Sequence, residues 1–223
     1  MRPITKNFPK CLLPIKGIPI LEIWLIVCLR ENSFNKIFVN IHHCPEIIFS
    51  WIENWKKREL KTYGKEVIDS IKIIDESSKL LGTAGTLFWH GDVSDDFFLA
   101  YTDTHSNEMF NTLHALAKRW KENPDPPIAG LITFPVPDDG SAGTMEVDQF
   151  KTVQNFKEKG IGGMVGWAGM MFGSKEFFKY IQKEDFDLAR DVLPRMNGKI
   201  MALEHVQAYD IGRGLEEYEH IRT

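Results

Sequence analysis

Apolar residues recur along the first half of the chain at two spacings, one typical of helices and the other of strands. Pro19 favours the first turn of a helix, and five apolar residues follow it at helical spacing: Ile20, Leu21, Trp24, Val27 and Cys28. The short β-branched segment 36–41 predicts a strand. The alternation then continues with helices over 46–55, 82–90 and 107–121 and strands over 71–74, 97–101 and 128–136.

This order of elements predicts the fold class. Strands that alternate with helices imply βαβ units and right-handed crossovers, which place helices on both faces of a sheet. We therefore expect an α/β protein with a doubly wound, mainly parallel, Rossmann-like sheet. Ligands of such sheets bind beyond the carboxyl ends of the strands, so the loops after Asn40, Asp75 and Tyr101 are expected to share one face.

The second half of the chain has a different pattern. Its apolar runs are shorter and predict a small mixed β lobe, with strands over 144–148, 151–159, 164–172 and 200–210. Two helices, over 175–181 and 187–196, interrupt these strands. We expect one domain over residues 1–223, with a first half at 1–136 and a second half at 137–223.

Composition excludes several classes of protein. The 27 basic and 31 acidic residues give a net charge of −4, which argues against a nucleic-acid binder. Three cysteines without a CxxC pattern indicate neither a disulfide framework nor a zinc site. Because there is neither an apolar run of the ~18 residues that span a membrane nor a signal peptide, we expect a cytoplasmic protein without membrane contact.

Two aspartates are candidate ligands of a metal ion. Asp103 directly follows the apolar strand at 97–101, and Asp210 ends the segment 200–210. Mg²⁺ favours a few carboxylates together with phosphate oxygens of a substrate, so two such aspartates would suit it. The alternative is that each aspartate only caps the turn that follows it.

Two lysines and one glycine-rich turn are candidate phosphate contacts. Lys10 lies in a loop stiffened by prolines, and Lys159 follows Glu158 before a glycine-rich stretch. Gly82, Thr83, Ala84 and Gly85 open a helix whose first amide groups favour anions. The alternatives are solvated surface lysines, a surface ion pair and an ordinary tight turn.

Taken in order, these segments resemble the sugar-1-phosphate nucleotidyltransferase family, particularly its mannose- and heptose-1-phosphate guanylyltransferase-like members. Residues 9–15 and 17–22 are similar to the family's PKPLLPI and GKPILE, and residues 81–85 match LGTAG. Residues 101–103 stand where the family has NGD, 158–159 match EK of its EKP, 167–169 stand for NAG, and 210–212 match DIG. The similarity covers essentially all 223 residues.

The resemblance implies a reaction in which a nucleoside triphosphate and a sugar 1-phosphate give a nucleotide sugar and pyrophosphate. It implies Mg²⁺ bound by Asp103 and Asp210, and contact of Lys10 with the nucleotide or the reacting phosphate. Glu158 would hold sugar hydroxyls and Lys159 the sugar phosphate. The remaining residues would approach the substrates through their backbone, with Gly82, Thr83, Ala84 and Gly85 at the base and Gly143, Ala168 and Gly169 at the sugar.

The chain also departs from the family pattern. It begins after the family's first strand and glycine-rich nucleotide loop, a difference of about 10–15 residues. That strand is central, and its absence would expose backbone groups on its neighbours and favour a homodimer. We therefore expect weak or absent activity, from an internal start site, a strand supplied by another segment or partner chain, or a degenerate binding protein.

The sequence alone does not decide the effect of four departures from the family pattern, nor does it exclude two alternative functions. Thr102 replaces a glycine of the family pattern, Cys11 a proline, Trp167 an asparagine and Arg213 a threonine. The alternative functions are a non-catalytic nucleotide- or sugar-phosphate-binding homologue and an unrelated nucleotide-sugar glycosyltransferase.

Overall fold

The computed structural model describes residues 4–29, 34–91, 95–106, 109–136, 140, 142–159, 165–211, 218–219 and 221, with the backbone alone for 4, 109–112, 204, 205 and 210. The chain divides into two units. The first comprises Met1–Leu80 and Asp210–Thr223, and the second comprises Leu81–Tyr209. The single domain expected for residues 1–223 and its division at residue 136 stay predictions.

The first unit contains short 3₁₀ turns, a two-stranded hairpin, three helices and a parallel strand pair. Its elements are β1 (Pro14–Ile15), β2 (Ile18–Pro19), α1 (Ile20–Leu29), β3 (Ile37–Ile41), α2 (Pro45–Tyr63), α3 (Lys65–Asp69) and β4 (Ile71–Asp75). β3 and β4 run parallel, with Ile37 beside Ile71 and Ile41 beside Asp75. The loops that follow these two strands therefore leave the pair at the same end, as the sequence predicts.

The core of the first unit forms where α1 and α2 pack with the parallel strands. α1 is apolar on nearly every side, and seven of its residues are buried. α2 extends to Tyr63, beyond the predicted end at residue 55, because residues 56–62 are mostly good helix formers and Gly64, at a φ of 82°, ends the helix. Trp55, which is 1% exposed, lies at the centre of this core.

The second unit contains two helices and most of the strands. Its elements are α4 (Gly82–His90), β5 (Phe97–Ala100), β6 (Thr104–His105), α5 (Met109–Glu122), β7 (Ala129–Phe134), β8 (Thr144–Val147), β9 (Val153–Lys157), β10 (Val165–Gly173) and β11 (Ile200–His205). Tyr209, its last residue, begins β12 (Tyr209–Asp210), which pairs with β6.

β10 organises the six-stranded sheet of the second unit. It pairs antiparallel with β5, β7 and β8, while β11 joins the far edge of β7 in parallel and β9 joins β8. The β10–β7 register shifts between Trp167 and Met171, which marks a bulge. Bulges of this kind re-aim side chains and are common beside active sites.

The predicted α/β fold with a small mixed β lobe is confirmed. The two helices predicted near residues 175 and 187 are instead a 3₁₀ helix at Lys175–Tyr180, a π-helix at Leu188–Val192 and a 3₁₀ helix at Leu193–Met196. Pro194 lacks the amide that a continuing α-helix needs, which accounts for the tighter last segment. Within the described ranges, no helix has the length and apolar character needed to cross a membrane.

Candidate active site

The candidate site begins where β5 ends and the chain turns. The amide of Thr104 donates to the carbonyl of Tyr101 at 3.2 Å, and this bond closes a turn that carries Thr102 and Asp103. Asp103 is half-buried, and its carboxylate has neither a hydrogen bond nor an ion pair with any described residue. Its oxygens therefore remain available to a ligand, and the expected contact with a metal ion stays a prediction.

The β10 bulge holds this turn in place. Gly169 has a φ of 71°, and its carbonyl accepts the amide of Tyr101 at 2.9 Å. A Cβ at Gly169 would lie 3.1 Å from Cδ2 of Tyr101 and 3.3 Å from Oγ1 of Thr104. Both the left-handed conformation and the close approach require glycine here. Ala168, the neighbouring predicted sugar contact, is buried.

The glycine-rich turn packs against a second segment of the same unit. Gly82 has a φ of 74°, and a Cβ there would lie 2.2 Å from the carbonyl oxygen of Phe186. The same oxygen accepts the amide of Ala84 at 3.0 Å, and the hydroxyl of Thr83 accepts the amide of Leu188 at 2.9 Å. The protein itself therefore engages one of the first amides of α4. The expected contact of residues 82–85 with a nucleotide base stays a prediction.

Asp191 keeps the segment after Phe186 in shape. Its Oδ2 accepts the amides of Phe186 at 3.0 Å and Asp187 at 2.8 Å, while Arg190 donates to Oδ1 at 2.9 Å. The hydrogen bond from Arg190, helped by the two amides, lowers the pKa of Asp191 below its usual value of 3.8. The carboxylate form thus supports the segment that Thr83 and Ala84 contact.

We expect Asp191→Asn to lower the free energy of unfolding by about 1 kcal/mol at neutral pH, since the charge-assisted bonds lie near the surface. A carboxyl whose pKa is lower in the folded state stabilises the protein above its unfolded pKa, and this contribution is lost as the pH falls through the folded pKa. The difference from wild type should therefore be largest at pH 7 and shrink below about pH 4 in urea titrations.

The exposed Asp125→Asn provides the control, because its carboxylate makes no hydrogen bond or ion pair to a described residue. It should leave the unfolding midpoint unchanged at every pH. A pH-independent loss of stability in Asp191→Asn would contradict the role assigned to the charge of Asp191.

The predicted sugar contacts lie on and beside the β8–β9 hairpin. Glu158 is half-buried just after β9, and the exposed Lys159 has a φ of 52°, a left-handed conformation that ends the strand. The carbonyl of Gly143 accepts the amide of Trp167 at 2.8 Å. A Cβ at Gly143 would lie 2.9 Å from the ring of Phe156, so a glycine is needed at this position.

Residues from several of these segments affect the pKa of one tyrosine, Tyr101. Burial raises the pKa of Tyr101 most strongly, the hydroxyl of Thr83 lowers it, and the charges of Asp187, Asp103 and Glu158 raise it further. The structure therefore brings Asp103 and Glu158, which are far apart in the sequence, near the same phenol. We refer to Thr83, Tyr101, Asp103, Glu158 and Asp187 as the Tyr101 cluster.

Lys10 and Asp210 belong to the first unit, and the other predicted site residues belong to the second. Lys10 begins a 3₁₀ turn, Lys10–Leu12, and is half-buried. The side chain of Asp210 lies outside the described residues, so its pairing with Asp103 at a metal ion stays a prediction. In the described part of the chain, no group of three or more histidine, cysteine or acidic side chains could hold a metal ion.

Two members of the Tyr101 cluster, Tyr101 and Asp187, were not predicted as site residues from the sequence. Tyr101 reads as the last apolar residue of a strand, and Asp187 reads as the start of a helix. One signal in the sequence could have identified Tyr101: it is a tyrosine where the family that the chain resembles has the asparagine of NGD.

The chain is similar to several known proteins. The model of the nucleotidyl transferase family matches residues 1–163. A UTP–glucose-1-phosphate uridylyltransferase of Synechocystis sp. is 28% identical over an alignment of 211 residues, and the match covers 88% of this chain and 52% of that protein. The chain thus spans about half the length of the curated relative it matches.

Solved structures share the fold. A crystal structure of a putative glucose-1-phosphate thymidylyltransferase from Bacillus anthracis, in complex with a sucrose, has a TM-score of 0.74 at 18% identity and covers 100% of this chain and 88% of that one. HddC from Yersinia pseudotuberculosis has a TM-score of 0.67 at 20% identity, with coverage of 96% and 89%. At these identities the likeness confirms the α/β fold.

Proposed function

Since the chain belongs to the nucleotidyl transferase family, we propose that it is a sugar-1-phosphate nucleotidyltransferase. It would join a nucleoside triphosphate to a sugar 1-phosphate and release pyrophosphate. The observation that carries this proposal is the match of the nucleotidyl transferase family model to residues 1–163. The names of two similar proteins, a uridylyltransferase and a putative thymidylyltransferase of glucose 1-phosphate, support this substrate class.

The reaction requires little covalent chemistry from the protein itself. A phosphate oxygen of the sugar phosphate attacks the α-phosphorus of the triphosphate in line, the new P–O bond forms, and pyrophosphate leaves with the electrons of the broken bond. The nucleophile is already anionic at neutral pH, so no strong general base is needed. Catalysis of this kind rests on positioning and charge neutralisation.

The roles of the side chains follow from their charges. Lys10 would contact the triphosphate or the reacting phosphate, and Lys159 would contact the phosphate of the sugar. Glu158 would accept hydrogen bonds from sugar hydroxyls, because its half-buried carboxylate lies at the end of β9. The backbone of Gly143, Ala168 and Gly169 would approach the sugar, and Gly82–Gly85 would approach the base.

The carboxylate of Asp103 fits a magnesium ion. It is half-buried, ends a strand and has no described hydrogen-bond or ion-pair partner, and Mg²⁺ commonly takes one or two carboxylates together with substrate phosphates. Asp103 and Asp210 would hold the ion, which when bound would neutralise charge on the phosphates. The support for Asp210 is the sequence, in which residues 210–212 match the DIG of the family pattern.

We also propose a cytoplasmic location and a homodimer. None of the three cysteines, all of which are described, forms a disulfide, which suits a reducing compartment. In the described part of the chain, β3 pairs with β4 alone and β5 with β10 alone, so each leaves an edge that favours association. Light scattering at several protein concentrations tests the dimer, and a single monomeric mass throughout would exclude it.

The activity is tested by pyrophosphate release. The purified chain is incubated with Mg²⁺, each of the common nucleoside triphosphates and each of glucose, mannose and glucosamine 1-phosphate. We expect release that requires both substrates and stops when EDTA removes the ion. Ligand binding without pyrophosphate would indicate a non-catalytic homologue, and the absence of both would contradict the proposal. The weak or absent activity expected from the sequence stays a prediction that the same assay tests.

A further inference from the structure

The hydroxyl of Tyr101 is a buried polar group without an ordinary partner. Its oxygen is closed to solvent and has no hydrogen bond of regular geometry with any described residue. The hydroxyl of Thr83, which accepts the amide of Leu188 at 2.9 Å, lies near the phenol but does not meet it with the geometry of a hydrogen bond. A buried hydroxyl left in this condition costs stability, so its retention calls for an explanation.

The protein holds this phenol in a defined position. The ring of Tyr101 meets the ring of Trp167 edge to face, with centroids 5.2 Å apart, and Trp167 in turn contacts Phe156 at 6.0 Å. The indole of Trp167 is itself fixed by a hydrogen bond to the carbonyl of Met170 at 2.9 Å. On the other side, the tyrosine lies against Gly169, where an added Cβ would come within 3.1 Å of Cδ2 of Tyr101. The hydroxyl is therefore pre-positioned by packing.

The surroundings of Tyr101 favour one kind of hydrogen-bond partner for its hydroxyl. A tyrosine phenol is protonated at neutral pH, so its O–H can donate a hydrogen bond. Glu158, the proposed contact of the sugar hydroxyls, acts on the same phenol, whereas the proposed function assigns the phosphates to Lys10, Lys159 and the ion at Asp103. A hydroxyl of the sugar is thus the acceptor that the proposed site offers to the phenol.

We propose that Tyr101 is a specificity-determining residue whose phenol donates a hydrogen bond to one hydroxyl of the sugar substrate. This inference rests on the proposed function and deepens it. The ligand must displace the atoms that close the oxygen to solvent. A sugar that lacks the hydroxyl would leave the buried phenol unpaired, and sites of this design reject such analogues strongly.

The test compares Tyr101→Phe with wild type in two measurements. Thermal unfolding without ligand should show a higher Tm for the variant, because it removes an unpaired buried hydroxyl and keeps the ring. Calorimetric titration should show about 10-fold weaker binding of the hexose 1-phosphate that wild type binds most tightly, the loss expected for one hydrogen bond. Affinity for the nucleoside triphosphate should not change.

The opposite signs of the two effects separate a substrate contact from a structural role. A lower Tm together with unchanged hexose-phosphate binding would mean that the hydroxyl serves the fold, and would overturn the inference. Tyr180→Phe, which removes a hydroxyl from a half-buried tyrosine elsewhere in the second unit, is the matched control and should leave hexose-phosphate affinity unchanged.

Deoxy analogues identify the recognised hydroxyl. Wild type should bind one of the 2-, 3-, 4- or 6-deoxy forms of glucose 1-phosphate more weakly than glucose 1-phosphate, and Tyr101→Phe should bind that analogue and the parent alike. Equal discrimination by both proteins would overturn the inference and leave the proposed function intact. If wild type binds triphosphate but no hexose 1-phosphate, the result contradicts both the inference about Tyr101 and the proposed function. A liganded crystal structure in which the phenol donates to protein or to a retained water would also overturn it.

Discussion

Asp103→Asn is expected to lower kcat for pyrophosphate release about 10³-fold, the order of loss seen when one preorganised electrostatic group is removed from an active site. Asparagine matches aspartate in size and keeps one oxygen, but it carries no negative charge for a cation. The carboxylate of Asp103 has no described hydrogen bond or ion pair, so its removal should cost the fold little. The loss should therefore appear in catalysis and not in stability.

Initial rates at several Mg²⁺ concentrations measure this effect, and circular dichroism measures the fold. Part of the lost rate should return at high Mg²⁺ if the carboxylate acts through the ion. Asp95→Asn is the matched control, because Asp95 is an exposed aspartate just before the amino end of the same strand, β5. A rate within twofold of wild type for Asp103→Asn would remove the central carboxylate from the proposed mechanism.

Local patterns in the sequence were sufficient for most elements. The helical spacing after Pro19 predicted α1, and the β-branched run at 36–41 predicted β3, because burial of one face imposes a period on the chain. The glycine-bracketed turn at 82–85 likewise predicted the start of α4. In these segments, the interactions that decide the structure lie between residues close together in the sequence.

Boundaries were less predictable than the elements themselves. α2 continues past Trp55 to Tyr63 through a polar stretch, and α3 follows after Gly64 without a distinct apolar pattern. The segment at 188–196 adopts π and 3₁₀ turns, because Asp187 caps its start and Pro194 interrupts its end. Capping and loss of an amide act on one or two residues, too few to produce a periodic signal.

The candidate site was predicted in part, and the reason lies in its long-range contacts. Asp103 and Glu158 could be chosen because each closes a strand, and the structure brings both near Tyr101. The role of Tyr101 depends on Gly169, whose conformation lets β10 approach the turn. Such a contact joins residues far apart in the chain, and no local pattern reports it. Whether Asp210 joins Asp103 stays a prediction.

Trp55→Ala is expected to lower the free energy of unfolding of the first unit by about 3–5 kcal/mol, the usual range for truncation of a buried large aromatic residue. Trp55 is 1% exposed and packs between Trp51 and Tyr63, with ring centroids 6.4 and 6.2 Å away. Alanine would leave a cavity where three elements meet. Urea titration followed by circular dichroism measures the loss.

Trp55→Phe separates packing from hydrogen bonding at this position. The indole Nε1 of Trp55 is buried and has no hydrogen-bond partner among the described residues, so phenylalanine removes an unpaired donor while it keeps an aromatic ring. Its cost should be about 1 kcal/mol, since the lost volume is partly offset by the relief of that donor. Trp89→Ala, at a residue that is 54% exposed, should change stability by no more than about 0.5 kcal/mol. If Trp55→Phe were as costly as Trp55→Ala, the indole N–H would have to make a bond that stabilises the fold, and the packing of the rings would not be the main contribution.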